Sequence, residues 1–365
     1  MRIGIDAKWF FSGPPSGKVV LKNLLREFLV PKYAHHQFYI FLNKGEEGKS
    51  FPFVLSNMHL VYVKNWNNLL TNAFVLPFYQ RKLNLDTVLF QNFGPFSPPK
   101  TGVVYIHDLL FLDFPQFFSV KERVYLRAIK PLAKNAKQVV TISASEKSRV
   151  LRHQLAHEED VYFVHHGISS RFKPLTEKES EDIAKVRHKY RLPKKYVLFL
   201  GRLNVRKNIK NLLLAMKDID CTLVIAGESS HKTENLSAII EQNSLMEKVV
   251  FTGHVDEEDL PVVYAIATVF CFPSYAEGFG LPPLEAMSSG VPVVSSDRTS
   301  LKEVCGTGAL FIDPDSPTEM AEKINILLNS PEKRMEMIDR GLKWVKPFVW
   351  EHSAKKLMDI IENQK

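Results

Sequence analysis

Apolar and polar positions along this 365-residue chain follow two alternating rhythms. Short runs of Val, Ile, Phe and Tyr are followed by stretches of helix length in which apolar residues return every three or four positions. That alternation predicts parallel sheets covered by helices on both faces. In the first half it places strands over Arg2 to Ala7, Phe38 to Leu42, Leu60 to Val63, Thr87 to Gln91, Val103 to His107, Val139 to Ser143 and Val161 to His165, with helices over Gly17 to Leu29 and Val120 to Lys137. The pattern then restarts, with strands over Tyr196 to Leu200, Thr222 to Ala226, Val249 to Thr252, Val269 to Phe272, Val291 to Ser295 and Leu310 to Ile312. Two helices, Pro331 to Val345 and Trp350 to Gln364, follow and are parted by Pro347. The fold class is α/β, two doubly wound Rossmann-like domains over residues 1–172 and 173–345 with a closing helix in 346–365. Their join is expected within Arg171 to Leu192, where Pro174 and a run of charges interrupt the periodicity.

Composition agrees with a soluble two-domain protein, since 45% of the residues are apolar and 24% charged. No run of 18 apolar residues occurs, and Arg2, Asp6 and Lys8 leave no room for a signal-peptide core. The expected location is therefore the cytoplasm. Cys221, Cys271 and Cys305 form no C-x-x-C pair and lie in or beside apolar runs, as reduced, packed thiols do. Charge changes the picture more. Of the net +8, residues 1–175 carry 23 Lys and Arg against 12 Asp and Glu, and the remainder carries 25 against 28. A basic first half implies an anionic partner such as nucleic acid, acidic lipid or a phosphorylated acceptor.

Ligands of open parallel sheets bind beyond the carboxyl ends of the strands, which directs attention to a few loops. Gly201 and Arg202 follow one strand, and Arg206, Lys207 and Asn208 precede the next helix, a setting suited to a diphosphate and also compatible with a solvated basic loop. After Phe272 comes Glu277-Gly278-Phe279-Gly280-Leu281-Pro282-Pro283-Leu284-Glu285. There the glycines let backbone approach a ligand, the amides of Phe279, Gly280 and Leu281 open a helix, and Glu277 and Glu285 can accept hydrogen bonds from sugar hydroxyls or serve as helix charges. His107 closes a strand.

Other motifs fail. Ser12 to Lys18 has three residues between its glycines where a P-loop has four, and Val19 stands where Ser or Thr would hold magnesium. No third glycine completes a dinucleotide fingerprint. His153 and His157 lack the Glu of a zinc protease, and the pairs His35-His36 and His165-His166 lack cysteine partners, so no metal site is expected. Lys121, Arg123, Arg127, Lys130, Lys134 and Lys137, interleaved with apolar residues, fit a helix lying on a membrane surface as well as an ordinary packed helix.

Taken together, Glu277 to Met287, Gly201-Arg202 with Arg206-Lys207-Asn208, Val104 to Asp108, Thr141 to Ser143 and Gly290 to Val294 resemble the retaining glycosyltransferases of family 4, from Met1 to the Trp350-Glu351 helix. The resemblance implies a GT-B fold, two Rossmann-like domains facing across a cleft, with the donor in the second, the acceptor in the first and the last helix returning to the first. It assigns Arg202 and Lys207 to the diphosphate of a nucleotide sugar, Glu277 to the sugar hydroxyls, Glu285 to the ribose, the amides of Phe279, Gly280 and Leu281 to sugar and phosphates, and His107 to the transferred sugar. It implies no metal or other cofactor and no nucleic acid. The acceptor is expected to be a glycan or lipid-linked sugar at the inner face of the cytoplasmic membrane, and GDP-mannose is favoured as donor, UDP-sugars next. Two departures stand out. Only Gly17 marks the first loop where relatives carry two close glycines, and His165 to Ser169 replaces an Asn-Gly-Val-Asp hinge. The alternatives are a non-hydrolysing sugar nucleotide epimerase and a non-enzymatic sugar- or nucleic-acid-binding module.

Overall fold

The computed structural model describes residues 1–53, 55–64, 66–98, 101–175, 180–228 and 234–364. It divides into two compact units, one of Met1–Gly167 with Phe348–Lys365 and one of Ile168–Pro347. The first unit carries seven strands, β1 Arg2–Asp6, β2 Gln37–Asn43, β3 Met58–Val63, β4 Thr87–Gln91, β5 Val103–Ile106, β6 Gln138–Thr141 and β7 Val161–Phe163. They pair in parallel in the order β3-β2-β1-β4-β5-β6-β7. In the second unit β8 Tyr196–Leu200, β9 Thr222–Ala226, β10 Val249–Gly253, β11 Val269–Phe272, β12 Val293–Ser296 and β13 Ala309–Ile312 form a parallel sheet ordered β10-β9-β8-β11-β12-β13.

Both sheets are doubly wound, and the physical reason is visible in the central strands. Every residue of β4, β5 and β11 is buried, because helices cover both faces, whereas the edge strand β3 exposes His59 and Leu60. Helix Pro15–Phe28 turns Val20, Leu21, Leu24, Leu25 and Phe28 to the core at helical spacing. Helix Trp350–Glu362 packs on it and buries Leu357, Met358 and Ile361, and Gln364 accepts from the Gly102 amide at 3.0 Å, so the end of the chain is part of the first unit.

Element existence matches the periodicity, and several ends differ. β5 stops at Ile106, β6 at Thr141 and β7 at Phe163, which leaves His107, Ser143 and His165 in the loops beyond. Ser143 instead caps helix Ala144–Arg152, accepting from the Glu146 amide at 3.1 Å. β12 begins at Val293, after Pro292, which has no amide hydrogen to give to a ladder. The expected helix from Val120 to Lys137 is two short helices, Val120–Leu126 and Ile129–Ala133. Pro131 causes the break, since it cannot donate to the Arg127 carbonyl and its ring crowds that group. Within the expected join, residues 176–179 lie outside the described residues, and Ser180–Tyr190 is a helix that buries Val186 and Tyr190 four apart.

Candidate active site

Each sheet has one place where strand order reverses, between β1 and β4 in the first unit and between β8 and β11 in the second. Crevices open there, beyond the strand ends. Hydrogen-bonded clusters of buried polar side chains lie at both.

In the second unit a single turn, Val205–Lys207, follows β8 and is capped by Asn204, whose Oδ1 accepts from the Lys207 amide at 3.2 Å. Asn208 next adopts a left-handed φ of 58° and donates through Nδ2 to the carbonyls of Pro273 and Pro314, at 3.1 and 2.7 Å. The loop after β8 is thereby tied to the end of β11. That tie brings Lys207 Nζ to 2.7 Å from Glu277 Oε1 and Arg206 Nη1 to 2.8 Å from Glu277 Oε2. Arg206 also donates to the Ala276 carbonyl, and Lys207 lies 4.4 Å from the Phe272 ring centre.

These charges set one another's protonation. Burial pushes the Glu277 carboxyl upward, but the two cations outweigh it and hold the group at about 2. Burial lowers Lys207 to about 8 despite the attraction of Glu277, and the charges of Arg206 and Arg202 work in the same direction. Arg202 itself is exposed and forms no ion pair among the described residues. The cluster is thus an excess of cations around one ionised carboxylate.

The backbone around Glu277 is fixed from the side. Thr299 Oγ1 accepts from the Glu277 amide at 2.9 Å, and the single hydroxyl proton of Ser300 is shared between the carbonyls of Glu277 and Phe279, each 2.8 Å from Oγ. Gly280 takes φ +115°, a conformation an L side chain resists, and helix Leu281–Ser288 starts directly after it. Glu285 stands in the second turn of that helix, apart from the cation cluster, accepting from Tyr264 Oη at 2.9 Å. Burial raises its carboxyl to about 7.

In the first unit His107 follows β5 directly. Its Nε2 is 2.8 Å from Gln91 Oε1, and its amide donates to Asn92 Oδ1 at 2.9 Å. An amide oxygen only accepts, so Nε2 carries the proton and Nδ1 keeps its lone pair. Desolvation lowers the imidazole to about 4, against the opposing charge of Asp6. Behind Gln91 lies a fully buried network. Lys8 Nζ reaches Asp6 Oδ1 at 2.5 Å and Asn72 Oδ1 at 2.6 Å, while Asn72 Nδ2 donates to Asp6 and to the carbonyls of Gln91 and Phe93.

The remaining sequence candidates fall elsewhere. Gly17 is buried in the first turn of helix Pro15–Phe28, against Trp9. Lys121, Arg127, Lys130, Lys134 and Lys137 are exposed, whereas Arg123 is half-buried with its Nε unpartnered. His35, His36 and Glu362 meet at the end of the last helix, with His36 Nε2 2.7 Å from Glu362. His36 Nδ1 faces the Met1 nitrogen, a donor, at 3.3 Å, so Nε2 bears the proton and the trio ties the helix down. Sequence reasoning missed Arg206 as the partner of Glu277, the supports Thr299 and Ser300, and the network of Asp6, Lys8, Asn72 and Gln91. Asp6, Lys8, Gln91 and Arg206 stand at or just beyond strands that meet at a reversal, whereas Asn72, Thr299 and Ser300 carry no such signal.

Comparison with known proteins gives the family and the fold. The family described as glycosyl transferases group 1 matches residues 180–344, which contain the Lys207–Glu277 cluster. The chain is 32% identical over 267 residues to the O-antigen chain mannosyltransferase B of Escherichia coli, covering 71% of this chain and 69% of that one. Among solved structures, sucrose-phosphate synthase from Thermosynechococcus elongatus superposes with a TM-score of 0.76 at 20% identity, covering 99% of this chain and 98% of its own. Anabaena HepE in complex with UDP-glucose does so at 0.74 and 18%, with 99% of each chain covered. By fold and by sequence, this chain belongs to the group 1 glycosyltransferases of the GT-B fold.

Proposed function

We propose that this glycosyltransferase moves a mannosyl group from GDP-mannose, with UDP-sugars as the next class of donor, to a lipid-linked glycan of a cell-surface polysaccharide, with retention of configuration and without a metal ion. One observation carries the reaction type. Arg206 and Lys207 are fixed on Glu277 at the switch point of the second sheet, with Arg202 exposed beside them. When the bond from the anomeric carbon to the diphosphate breaks, negative charge develops on the leaving group, and cations already in place stabilise it without reorganising. Glu277, ionised at any physiological pH, accepts hydrogen bonds from sugar hydroxyls. The acceptor oxygen attacks from the face the diphosphate leaves, and its proton passes to a donor phosphate oxygen. The naming of the Escherichia coli relative as an O-antigen chain mannosyltransferase supports the mannosyl group and the acceptor class.

A surface of the first unit supports work at an anionic membrane. Phe74 (47% exposed) and Phe96 (63%) touch at 5.2 Å between ring centres, and Phe78 (58%) follows Phe74 by one turn. Asn135, just past helix Ile129–Ala133, donates to the carbonyls of Pro95 and Phe96, and Lys130 and Lys134 of the same segment are exposed. Exposed aromatic rings and lysines on one unit suit the boundary between headgroups and acyl chains. No helix among the described residues is long and apolar enough to cross a membrane.

The decisive experiment incubates the protein with GDP-mannose or UDP-hexoses and a lipid-linked glycan, then reads nucleotide release and the anomeric configuration of the product by NMR. The expected result is nucleotide released only with acceptor and an α-linked product. Release of an epimerised nucleotide sugar without acceptor identifies an epimerase instead. Salt-sensitive nucleic-acid binding without turnover identifies a binding module.

A further inference from the structure

The other switch point, between β1 and β4, holds a residue with no role so far. Trp9 opens the short turn Trp9–Ser12 directly beyond β1 and is half-buried. Its ring centre lies 5.2 Å from that of His107, tilted by 51°. Two glycines make the room it occupies. A Cβ at Gly13 would come within 2.3 Å of Trp9 Cβ, and one at Gly17 within 2.8 Å of its Cε3. The backbone before it is equally constrained, because Lys8 is locked to Asp6 and Asn72 and its carbonyl accepts from Asn43 Nδ2 at 2.9 Å. The indole is therefore held rigidly at the strand ends, where ligands of this fold class bind.

Its polar edge is unused. Neither Trp9 Nε1 nor His107 Nδ1 forms a hydrogen bond among the described residues, and neither is a buried atom. A flat apolar face with an open donor thus stands beside an open acceptor. The nearby cation cannot serve an anionic ligand, since Lys8 is 1% exposed and saturated by Asp6 and Asn72. The site's chemistry is neutral, amphipathic and shaped for a ring, which describes a pyranose with its C–H face and hydroxyl edge.

From this we infer that Trp9 is the platform for the acceptor's terminal sugar. The indole packs against the C–H face and Nε1–H donates to a hydroxyl, next to His107, which faces the transferred sugar in the glycosyl-transfer reading. This rests on the glycosyl-transfer reading and adds to it that acceptor recognition is by a neutral saccharide. Gly13 and Gly17 then act by making space for Trp9, and Gly17 needs no close approach of its own backbone to the ligand.

Two measurements test it. In the first, a neutral mannose-terminated oligosaccharide is titrated without nucleotide, and indole emission is followed. The wild-type protein, with four tryptophans, is expected to respond, and Trp9→Phe to lose the response. A wild-type protein that does not respond, or a response that survives Trp9→Phe, overturns the proposal. In the second, transfer is measured with donor saturating and the same oligosaccharide varied. Trp9→Leu is expected to raise the acceptor KM about tenfold or more, Trp9→Phe several-fold less, with the donor KM unchanged in both. An unchanged acceptor KM, or a change in kcat or donor KM alone, means that Trp9 only supports His107. If Trp9→Leu fails to fold, the emission experiment on Trp9→Phe decides alone. Because that experiment uses no nucleotide sugar, failure of the transfer reading shows separately, as absence of turnover by the wild-type protein.

Discussion

Lys207 Nζ sits 2.7 Å from Glu277 Oε1 although the two residues are 70 apart in the chain. The pair forms because β8 and β11 are neighbours in the sheet and Asn208 ties their following loops together. Its cost is offset by Arg206, which satisfies the second carboxylate oxygen.

Arg202→Ala and Lys207→Ala are each expected to lower kcat by roughly 10² to 10³, the scale of a single preorganised electrostatic donor. The two differ in stability. Arg202 is exposed and forms no ion pair among the described residues, so its loss should leave the melting temperature almost unchanged, whereas Lys207→Ala leaves Glu277 with one partner and should lower it. Wild-type rates in both folded variants remove the diphosphate assignment.

Acid should reveal the Glu277 cluster. The carboxyl is held at about 2 in the folded chain against an ordinary 4.5, so between those values the unfolded chain binds more protons. The stabilisation is complete above about pH 4.5 and lost as pH falls toward 2, and its size is on the order of 3 kcal/mol. Urea unfolding of wild type and Glu277→Gln across that range should show the difference between them shrinking toward low pH. A constant difference means the carboxylate is not held by its cations.

Activity is expected to persist in excess EDTA, because Arg202, Arg206 and Lys207 supply the charge a divalent ion would bring to a diphosphate. Assays with and without chelator check this. Loss of activity that magnesium or manganese restores overturns metal independence.

Binding to vesicles containing anionic lipid should be reversible by salt, since each lysine or arginine near such a surface contributes about 1 kcal/mol and is screened beyond a Debye length. Lys130→Glu with Lys134→Glu should weaken co-sedimentation, and Phe78→Ser with Phe96→Ser should weaken it with less salt dependence. Arg123 is a poorer choice, because its half-buried guanidinium makes the substitution a folding perturbation. Equal pelleting with neutral and anionic vesicles leaves the helices Val120–Leu126 and Ile129–Ala133 as ordinary packed elements.

Local chemistry carries far in this chain. Period-two and period-3.6 apolar patterns are properties of contiguous residues, so the strands, the helix Pro15–Phe28 and the doubly wound α/β class are legible without coordinates. Motif residues clustered in one loop are legible too, and Glu277, Gly280, Arg202 and Lys207 stand beyond strand ends where the sequence puts them. What stays hidden is everything that depends on which strand lies beside which. Arg206 and Lys207 meet Glu277, Thr299 and Ser300 hold its loop, and Asp6, Lys8, Asn72 and Gln91 converge behind His107 only because distant segments become neighbours in a sheet. Trp9 shows the division most plainly. A tryptophan after a strand has no pattern of its own, and its place against His107, in room left by Gly13 and Gly17, comes from β1 and β5 flanking β4. Periodicity is written in consecutive residues, whereas pairing between distant charges and rings is decided by packing, which no single stretch of sequence contains.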